Sequence, residues 1–343
     1  MTAHWGATRA WVEKQLAGSG ERIEHVVRLR GGWSSEMRRL DVAGPGGLRA
    51  LVLRSFVKPF YLRHAEGLLE REAAVLRLLR SRAELVPAAE PLAVDATARH
   101  CDHPSLLMTL LPGTIRLDDR HADARAELLA RQLVRIHRID GLPEEPRPRT
   151  YQAWTSPERV RVPERTACPE VWRRAVDVIR RRPPAYRGTF LHRDFHPGNV
   201  LFTGDGPDRA EGPDRAEGAD RAGRPGRARG LRISGVVDWV ETSWGPADLD
   251  VAHCATALAL LHGVPAGLAF ADRYEAAGGR LDPDPAAHLY WRLLDALAFA
   301  PDAEKVAVPW REVGRDDLTP ELLTRRLEGY VQALLGRYGT VTG

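Results

Sequence analysis

The chain contains little cysteine and no long apolar run, and both shortages exclude classes of protein. Its three cysteines, Cys101, Cys168 and Cys254, lie far apart and form no C-x-x-C pair. This pattern argues against a disulfide framework or a zinc site and favours a reducing compartment, so we expect a cytoplasmic location. Residues 1–20 lack the apolar segment of a signal peptide, and no run of about 18 apolar residues could cross a membrane. No stretch alternates basic and aromatic residues, so we expect neither a membrane nor a nucleic-acid partner.

Residues 190–202 carry the most informative pattern, a polar loop between two apolar, strand-like runs. Within the loop, Asp194 is followed five positions later by Asn199, which matches the phosphoryl-transfer loop H-R-D-x-x-x-x-N. In that loop the Asp orients or deprotonates the substrate hydroxyl, and the Asn binds a metal ion. A second metal-binding carboxylate is required on the next strand, and Asp238 supplies it. Asp194 is therefore the candidate catalytic residue, and Asn199 and Asp238 are candidate Mg²⁺ ligands because that ion prefers hard oxygen donors.

The same loop admits other interpretations. His192, Asp194 and His196 alternate, and a strand would project them to one face as the ligands of a metal-dependent hydrolase. Two features argue against a hydrolase. Pro197 would interrupt such a strand, and a metal site of two histidines and one carboxylate does not use Asn199. Alternatively, the Asp and Asn only cap turns, or the chain is a non-catalytic nucleotide-binding regulator. The kinase interpretation is favoured, with His192 as a structural support of the loop.

The first part of the chain is predicted to form a small β-rich lobe. A chain of 343 residues is too long for one small core and suits two lobes. A hinge near Pro112 then separates a nucleotide-binding lobe, residues 1–112, from a catalytic and substrate lobe, residues 113–343. Extended apolar runs bounded by glycine-rich turns predict strands over 22–29, 36–43, 48–54, 90–95 and 105–110. Apolar residues spaced three and four apart predict a helix over 65–80.

The second lobe is predicted to be mostly helical apart from the strands that flank the loop. Residues 204–230 repeat Pro-Asp-Arg-Ala-Glu-Gly and contain almost no large apolar residue. Such a segment cannot offset its ordering entropy, so we predict a disordered insertion there. Helices are predicted over 122–139 and at about 168–182, 248–262, 284–299 and 319–336.

A cation must hold the nucleotide phosphates, and Arg54 ends a predicted strand where it can serve. Its partner follows from helical geometry, since Glu72 of the next helix lies in line with Leu76 and Leu79. A carboxylate in an apolar stripe is costly unless it is paired, so we predict an Arg54–Glu72 ion pair. The alternative is that Arg54 is only an exposed strand end.

Two segments are candidates for further nucleotide contacts. The turn at residues 31–35 offers backbone N–H groups, that of Gly32 among them, and the Ser34 or Ser35 hydroxyls as a cover for the phosphates, although a plain hairpin turn has the same pattern. Thr109 and Leu110, just before the hinge, would offer adenine the edge of a strand.

Acidic residues are frequent in the final third of the chain. Asp250, at the start of a predicted helix, is expected to brace the catalytic loop by accepting its backbone N–H groups, with helix capping as the alternative. The other carboxylates would suit a polycationic acceptor, but we favour a solvated helical surface for them: Asp282, Asp284, Asp295, Asp302 and Glu304.

These motifs in this order resemble the aminoglycoside phosphotransferase family, relatives of protein kinases that phosphorylate small molecules. The resemblance covers roughly residues 25–300. It is carried most specifically by the run from His192 to Asn199, and then by Val237-Asp238-Trp239. It implies an α+β, bilobal protein-kinase-like fold with a small β-rich N-lobe and a larger, mostly helical C-lobe. It also implies ATP or GTP as the phosphate donor, Mg²⁺ as the metal ion and a small-molecule hydroxyl as the acceptor.

Two positions depart from the family pattern. Arg193 stands where these small-molecule kinases commonly have Gly and is more typical of protein kinases, and Arg54 stands where Lys is usual. A peptide acceptor is nevertheless disfavoured, because only about ten residues separate Asp238 from Asp248 and no Ala-Pro-Glu follows. The acceptor is therefore expected to be a small molecule, and no motif specifies its identity or the oligomeric state.

Overall fold

The computed structural model describes residues 5–29, 35–140, 149–204 and 230–339. Its N-terminal part is built on one sheet, in which five antiparallel strands have the order β1-β2-β3-β5-β4. The elements of this part are α1 (Gly6–Leu16), β1 (Arg22–Leu29), β2 (Glu36–Gly44), β3 (Gly47–Ser55), α2 (Pro59–Leu62), α3 (Ala65–Arg80), β4 (Pro91–Asp95) and β5 (Ser105–Thr109).

Alternate residues of β3 serve the two faces of this sheet, as the two-residue period of a strand requires. Leu51 and Leu53 are buried in a small cluster that includes Trp11 of α1. Val52 lies on the other face, in the main core with Leu69 of α3. The pattern predicts α3 with the observed bounds, but it does not predict α1, whose few apolar residues stand among charged ones.

The C-terminal part is mostly helical, and its longest buried element is α6. Side chains on every side of α6 are buried, which explains why this helix is apolar all round. The elements are β6 (Thr114–Ile115), α4 (Ala122–His137), α5 (Pro169–Ile179), β7 (Thr189–Leu191), β8 (Val200–Thr203), β9 (Arg232–Val236), β10 (Ser243–Gly245), α6 (Ala247–His262), α7 (Val264–Ala276), α8 (Pro285–Ala296), α9 (Glu304–Glu312) and α10 (Pro320–Tyr338).

Two small sheets, β6-β8-β9 and β7-β10, position the loop singled out by the sequence. In the first sheet Val200 pairs with Val236, so the residue before β8 and the residue after β9 meet at one edge. The Val237 N–H donates to the Asn199 carbonyl oxygen at 3.0 Å. The loop between β7 and β8 therefore lies beside the segment that contains Asp238.

Several predicted boundaries need correction. Helix α4 ends at His137, earlier than predicted, and α7 and α9 are not predicted. Pro265 and Gly267 near the start of α7, and Pro309 inside α9, interrupt the patterns that would have indicated these helices. The predicted disordered insertion lies outside the described residues except for its ends, Gly204 and Gly230.

One main hydrophobic core contains residues from both the N-terminal and the C-terminal part of the chain. It includes Leu76 of α3 together with Phe190 of β7 and Val236 of β9. Because residues on both sides of the proposed hinge share this core, the packing does not mark a boundary between two lobes. The lobe boundary at residues 112 and 113 therefore stays a prediction. Within the described ranges, no helix has both the length and the apolar character that a bilayer crossing demands.

Candidate active site

One buried carboxylate holds the loop between β7 and β8. Asp250 of α6 is fully shielded from solvent and accepts hydrogen bonds from the backbone N–H groups of His192 and Arg193, both at 2.8 Å. Its Oδ2 also lies 3.2 Å from His137 Nε2. Burial alone would raise the pKa of Asp250, but the hydrogen bond with His137 and the nearby cationic groups outweigh it and lower that pKa. Asp250 thus contacts the loop as predicted, and no side chain caps α6.

Arg193 has a φ of 72°, a left-handed conformation that costs a non-glycine residue roughly 1–2 kcal/mol. This backbone geometry explains why a glycine would suit the position. The guanidinium carbon of Arg193 lies 4.2 Å from the ring centroid of Trp154, and Nη2 donates to the Gln152 carbonyl oxygen at 3.0 Å. These contacts offset the backbone cost, so a long cationic side chain is accommodated here.

His192 links the loop to the segment after β9. Its Nε2 donates to the Val237 carbonyl oxygen at 3.0 Å, and its Nδ1 accepts from the Asp194 N–H at 3.3 Å. Both ring nitrogens are used by backbone groups, and burial lowers the pKa of His192, so the ring is neutral. The metal-ligand set of His192, Asp194 and His196 considered from the sequence is therefore not formed.

The carboxylate of Asp194 is held at both oxygens yet remains 29% exposed. Asn199 Nδ2 donates to Oδ2 at 3.0 Å and to the Asp194 carbonyl oxygen at 2.9 Å, while Oδ1 lies 3.1 Å from His253 Nε2. Burial would raise the pKa of Asp194, but the hydrogen bond from His253 and the neighbouring imidazole of His196 hold it well below its ordinary value. An ionised, oriented and accessible carboxylate results.

Asn199 and Asp238 present oxygen atoms that fit a hard cation. The amide nitrogen of Asn199 is used by Asp194, which leaves its amide oxygen as the atom available to a metal. Asp238 has a φ of 66°, its side chain is 28% exposed, and its Oδ1 accepts from Arg54 Nη1 at 3.0 Å. An amide oxygen and a carboxylate at adjoining positions are a donor set that suits Mg²⁺.

Asp194 and Asp238 belong to two segments that are hydrogen-bonded to each other. Val237, next to Asp238, is bonded to both His192 and Asn199. Burial raises the pKa of Tyr61, a residue of α2, and the charges of Asp238 and Asp194 raise it further. The two backbone contacts of Val237 place the loop that carries Asp194 beside the segment that carries Asp238, as the phosphoryl-transfer motif requires.

Arg54, on β3 of the five-stranded sheet, connects that sheet to Asp238. Its Nη1 donates to Glu72 Oε1 at 2.9 Å and to Asp238 Oδ1 at 3.0 Å, and the Arg54 side chain is 3% exposed. Burial would lower the pKa of Arg54, but the charges of Asp238 and Glu72 raise it. The structure thus contains the ion pair predicted from helical geometry, and Arg54 is not an exposed strand end. Arg71 of α3 adds a second connection by donating to the Val240 carbonyl oxygen at 3.0 Å.

The remaining nucleotide candidates differ in what the structure shows. Ser35 is buried and its hydroxyl donates to Met37 Sδ at 3.6 Å. Gly32 and Ser34 lie outside the described residues. The N–H groups of Thr109 and Leu110 are already bonded, to the Glu90 carbonyl oxygen at 2.9 Å and to the Ala50 carbonyl oxygen at 3.3 Å. These two N–H groups are therefore not donors that an adenine ring would meet.

Sequence reasoning missed His253 and misplaced Asp295. His253 of α6 is 4% exposed and contacts Asp194, and its Nδ1 lies 3.0 Å from Asp295 Oδ1. Asp295 of α8 was expected on a solvated surface, but it is buried among apolar residues of that helix. One sequence signal indicates both residues, because each is a titratable residue inside an apolar run. Burial of such a residue costs free energy unless the residue has a hydrogen-bonding or charged partner.

Asp194, His196 and His253 place one ligand atom each within 4.8 Å of one another, an arrangement that resembles a metal site. The hydrogen bonds argue against that use. His196 Nδ1 accepts from the Gly198 N–H at 3.1 Å, so its proton is on Nε2, the nitrogen that faces Asp194. A histidine binds a metal through an unprotonated nitrogen. Both ring nitrogens of His253 face carboxylates, so this cluster is a hydrogen-bonded group.

A cavity of about 880 Å³ is lined by neither Asp194 nor Asp238. Its lining includes His137, Thr189, Asp248 and Trp291. None of the proposed catalytic or metal-binding residues lines it, so this cavity is not the reaction site.

The role of Asp250 can be tested by its replacement. We expect Asp250→Ala to lower the free energy of unfolding by about 1–3 kcal/mol for each buried N–H group left unpaired. Urea denaturation measures this loss. Asp272→Ala is the control, because Asp272 is exposed and its pair with Arg337 is a surface one. Equal stability of the two variants would contradict a bracing role for Asp250.

Comparisons with known proteins identify the family of the chain. Residues 25–212, more than half of the 343 residues, match the model of a family described as the phosphotransferase enzyme family. No curated protein matches the chain.

Solved structures match along nearly the whole chain. A protein of Ralstonia eutropha JMP134, described as an aminoglycoside phosphotransferase, has a TM-score of 0.57 and 17% identity over 97% of this chain and 98% of its own. A thermostable mutant of APH(4)-Ia, in a ternary complex with ADP and hygromycin B, has a TM-score of 0.55 and 17% identity over 98% of this chain and 100% of its own. The GDP and kanamycin complex of APH(2")-IIia has a TM-score of 0.53 and 15% identity over 90% and 98%.

At these identities the likeness shows the fold, and it confirms the predicted α+β, bilobal protein-kinase-like architecture. The N-terminal part is the β-rich one and the C-terminal part the helical one. Together with the family match, this fold settles the relationship that the catalytic-loop motif indicated. The chain belongs to the phosphotransferase enzyme family that includes the aminoglycoside phosphotransferases.

Proposed function

We propose that the protein is an ATP- or GTP-dependent, Mg²⁺-requiring cytoplasmic kinase that transfers a γ-phosphoryl group to a hydroxyl of a small molecule. The observation that carries this proposal is the accessible Asp194 carboxylate, held by Asn199 beside the Asp238 segment. Phosphoryl transfer needs positioning and charge neutralisation more than covalent chemistry from the protein.

In the proposed reaction Asp194 accepts a hydrogen bond from the acceptor hydroxyl. The hydroxyl oxygen forms a bond to the γ-phosphorus as the bond from that phosphorus to the β–γ bridging oxygen breaks, and the nucleoside diphosphate leaves with the electron pair. The low pKa of Asp194 makes it a weak base, so its main task is orientation, and the hydroxyl proton passes to the Asp194 carboxylate late, as the new O–P bond forms.

Other residues are proposed to hold the donor. Arg54, fixed by Glu72, is placed to bind the nucleotide phosphates, as are the turn residues Gly32, Ser34 and Ser35. Mg²⁺, when bound through Asn199 and Asp238, neutralises charge on the phosphates. Thr109 and Leu110 remain proposed neighbours of the adenine or guanine ring through groups other than their N–H donors.

A small acceptor is favoured over a peptide by the short connection after Asp238. A 3₁₀ turn, Trp239–Glu241, and β10 occupy most of it, and β10 pairs with β7. Helix α6 begins directly afterwards, at Ala247. This leaves no extended segment on which a peptide could lie. APH(4)-Ia and APH(2")-IIia, which share the fold, are seen with hygromycin B and kanamycin respectively, so both compounds belong in the first acceptor panel.

The proposal is tested by incubating the protein with ATP or GTP, with Mg²⁺ or EDTA, and with a panel of antibiotics and hydroxylated metabolites. We expect Mg²⁺-dependent release of nucleoside diphosphate and, for the true acceptor, a product heavier by one phosphoryl group in mass spectrometry. Absence of Mg²⁺-dependent nucleotide binding in calorimetry would overturn the proposal. That readout does not depend on finding the acceptor.

A further inference from the structure

His253 connects the proposed catalytic carboxylate to a second, deeply buried carboxylate. Its Nε2 lies 3.1 Å from Asp194 Oδ1, and its Nδ1 lies 3.0 Å from Asp295 Oδ1. The side chain of His253 is 4% exposed and that of Asp295 is 1% exposed. The bridge therefore runs through the protein interior, from the loop after β7 through α6 to α8.

The chemistry of the two contacts indicates the charge of the ring. An ionised carboxylate can only accept hydrogen bonds, so a ring that bonds two of them must donate from both nitrogens. Only the imidazolium form does so. Burial alone would lower the pKa of His253, but the charge of Asp295 and the hydrogen bonds to both carboxylates raise it to about 9.

Packing fixes the ring in this orientation. Trp154 meets it edge-on, with ring centroids 4.9 Å apart, and Phe299 stacks against it at 5.6 Å. The imidazolium is thus held between aromatic groups and cannot turn away from Asp194 without repacking. Asn199 holds the other oxygen of Asp194, so both ends of the carboxylate are constrained.

We propose that His253, held as a cation by Asp295, is the positioning residue that orients the Asp194 carboxylate toward the acceptor hydroxyl. This inference rests on the proposed phosphotransferase function. Each oxygen of Asp194 keeps one lone pair for the substrate, because each carboxylate oxygen can accept two hydrogen bonds. His253 and Asp295 do not touch the reacting atoms; they act through Asp194.

The bridge makes activity depend on pH at the alkaline end. Above pH about 9 His253 loses its proton and one of its two hydrogen bonds, so the turnover number should fall. Two other charged groups, Arg193 of the loop and Lys305 of α9, face this cluster, and His196 of the loop is a neutral titratable neighbour because burial lowers its pKa to about 4. Because the pKa of His253 in the folded protein is above its ordinary 6.5, its contribution to stability is fully present below pH about 6.5 and is lost as the pH rises through about 9.

The test uses two variants, His253→Gln and Asp295→Asn, with His288→Gln as a matched control. His288 of α8 also pairs with an aspartate of α6, Asp248, at 3.1 Å, but it does not contact Asp194. We expect both test variants to lower kcat roughly 10–100-fold. The nucleotide affinity of both, and the kcat of the control, should stay within about twofold of the parent protein. In Asp295→Asn the alkaline limb of the pH–rate profile should also move to lower pH, because the imidazolium loses its buried counter-charge.

A second measurement needs neither activity nor a variant. Nitrogen-15 NMR of the histidine-labelled protein should show His253 protonated at both ring nitrogens at neutral pH. A neutral His253, or a kcat for His253→Gln within twofold of the parent, would overturn the inference. If Asp194→Ala is inactive while both bridge variants remain fully active, only the bridge fails. If Asp194→Ala keeps full activity, the proposed function itself fails.

Discussion

Replacing Asp194 with alanine is expected to lower kcat about 10²–10⁴-fold while leaving nucleotide affinity nearly unchanged. The carboxylate is the group available to orient the acceptor hydroxyl, whereas the proposed metal ligands are Asn199 and Asp238. Its 29% exposure means that the substitution leaves no sealed cavity, so the fold should persist. Nucleoside diphosphate release measures the first effect, and titration calorimetry measures the second.

Asp194→Asn is the matched variant for this experiment. It keeps the shape of the side chain and one acceptor oxygen but removes the charge and adds an N–H group that faces the Asn199 amide or His253. We expect it to be nearly as inactive as Asp194→Ala, because the acceptor hydroxyl needs an ionised partner. Full activity of either variant would remove the catalytic assignment.

Replacing Asp238 with alanine is expected to abolish the Mg²⁺-dependent part of nucleotide binding, with a loss of affinity of about 100-fold or more, or about 2.7 kcal/mol. Asp238 supplies the carboxylate oxygen of the proposed metal site and faces Arg54, so its removal takes away one ligand and frees the guanidinium. Calorimetric titration with ATP, in Mg²⁺ and again in EDTA, separates the metal-dependent part from the rest.

Glu241→Gln is the control for that measurement. Glu241 is a nearby carboxylate with 32% exposure whose partner is Arg149, and it is not a proposed metal ligand. We expect the control to keep the difference between the Mg²⁺ and EDTA titrations. If Asp238→Ala keeps that difference too, the metal ion is held by other groups.

The predicted site residues that the structure brings into contact are those whose relation depends on local spacing. Asp194 and Asn199 belong to one short loop, and the Arg54–Glu72 pair follows from one strand end and one helical stripe. Such features follow from the two-residue repeat of strands and the 3.6-residue repeat of helices, and both repeats can be recognised in a single sequence. The amphipathic helix α3 was predicted with its observed bounds for the same reason.

The parts that were missed depend on which elements pack together. His253 meets Asp295 only because α6 and α8 are neighbours in the C-terminal part, and nothing in the spacing of the two residues reveals that contact. Asp295 was therefore grouped with surface carboxylates. Helices α7 and α9 were missed because Gly267 in the first turn of α7 and Pro309 inside α9 are residues that disfavour a helix interior.

The position of Arg54 has a consequence for nucleotide affinity. One guanidinium nitrogen of Arg54 contacts both Glu72 and Asp238, so the cation balances the charge of the carboxylate that is proposed as a metal ligand. On the proposed function, binding of the nucleotide and its metal ion would require Arg54 to exchange Asp238 for phosphate oxygens. The nucleotide affinity would then reflect the difference between two sets of ionic contacts, the Arg54–Asp238 pair and the contacts that replace it.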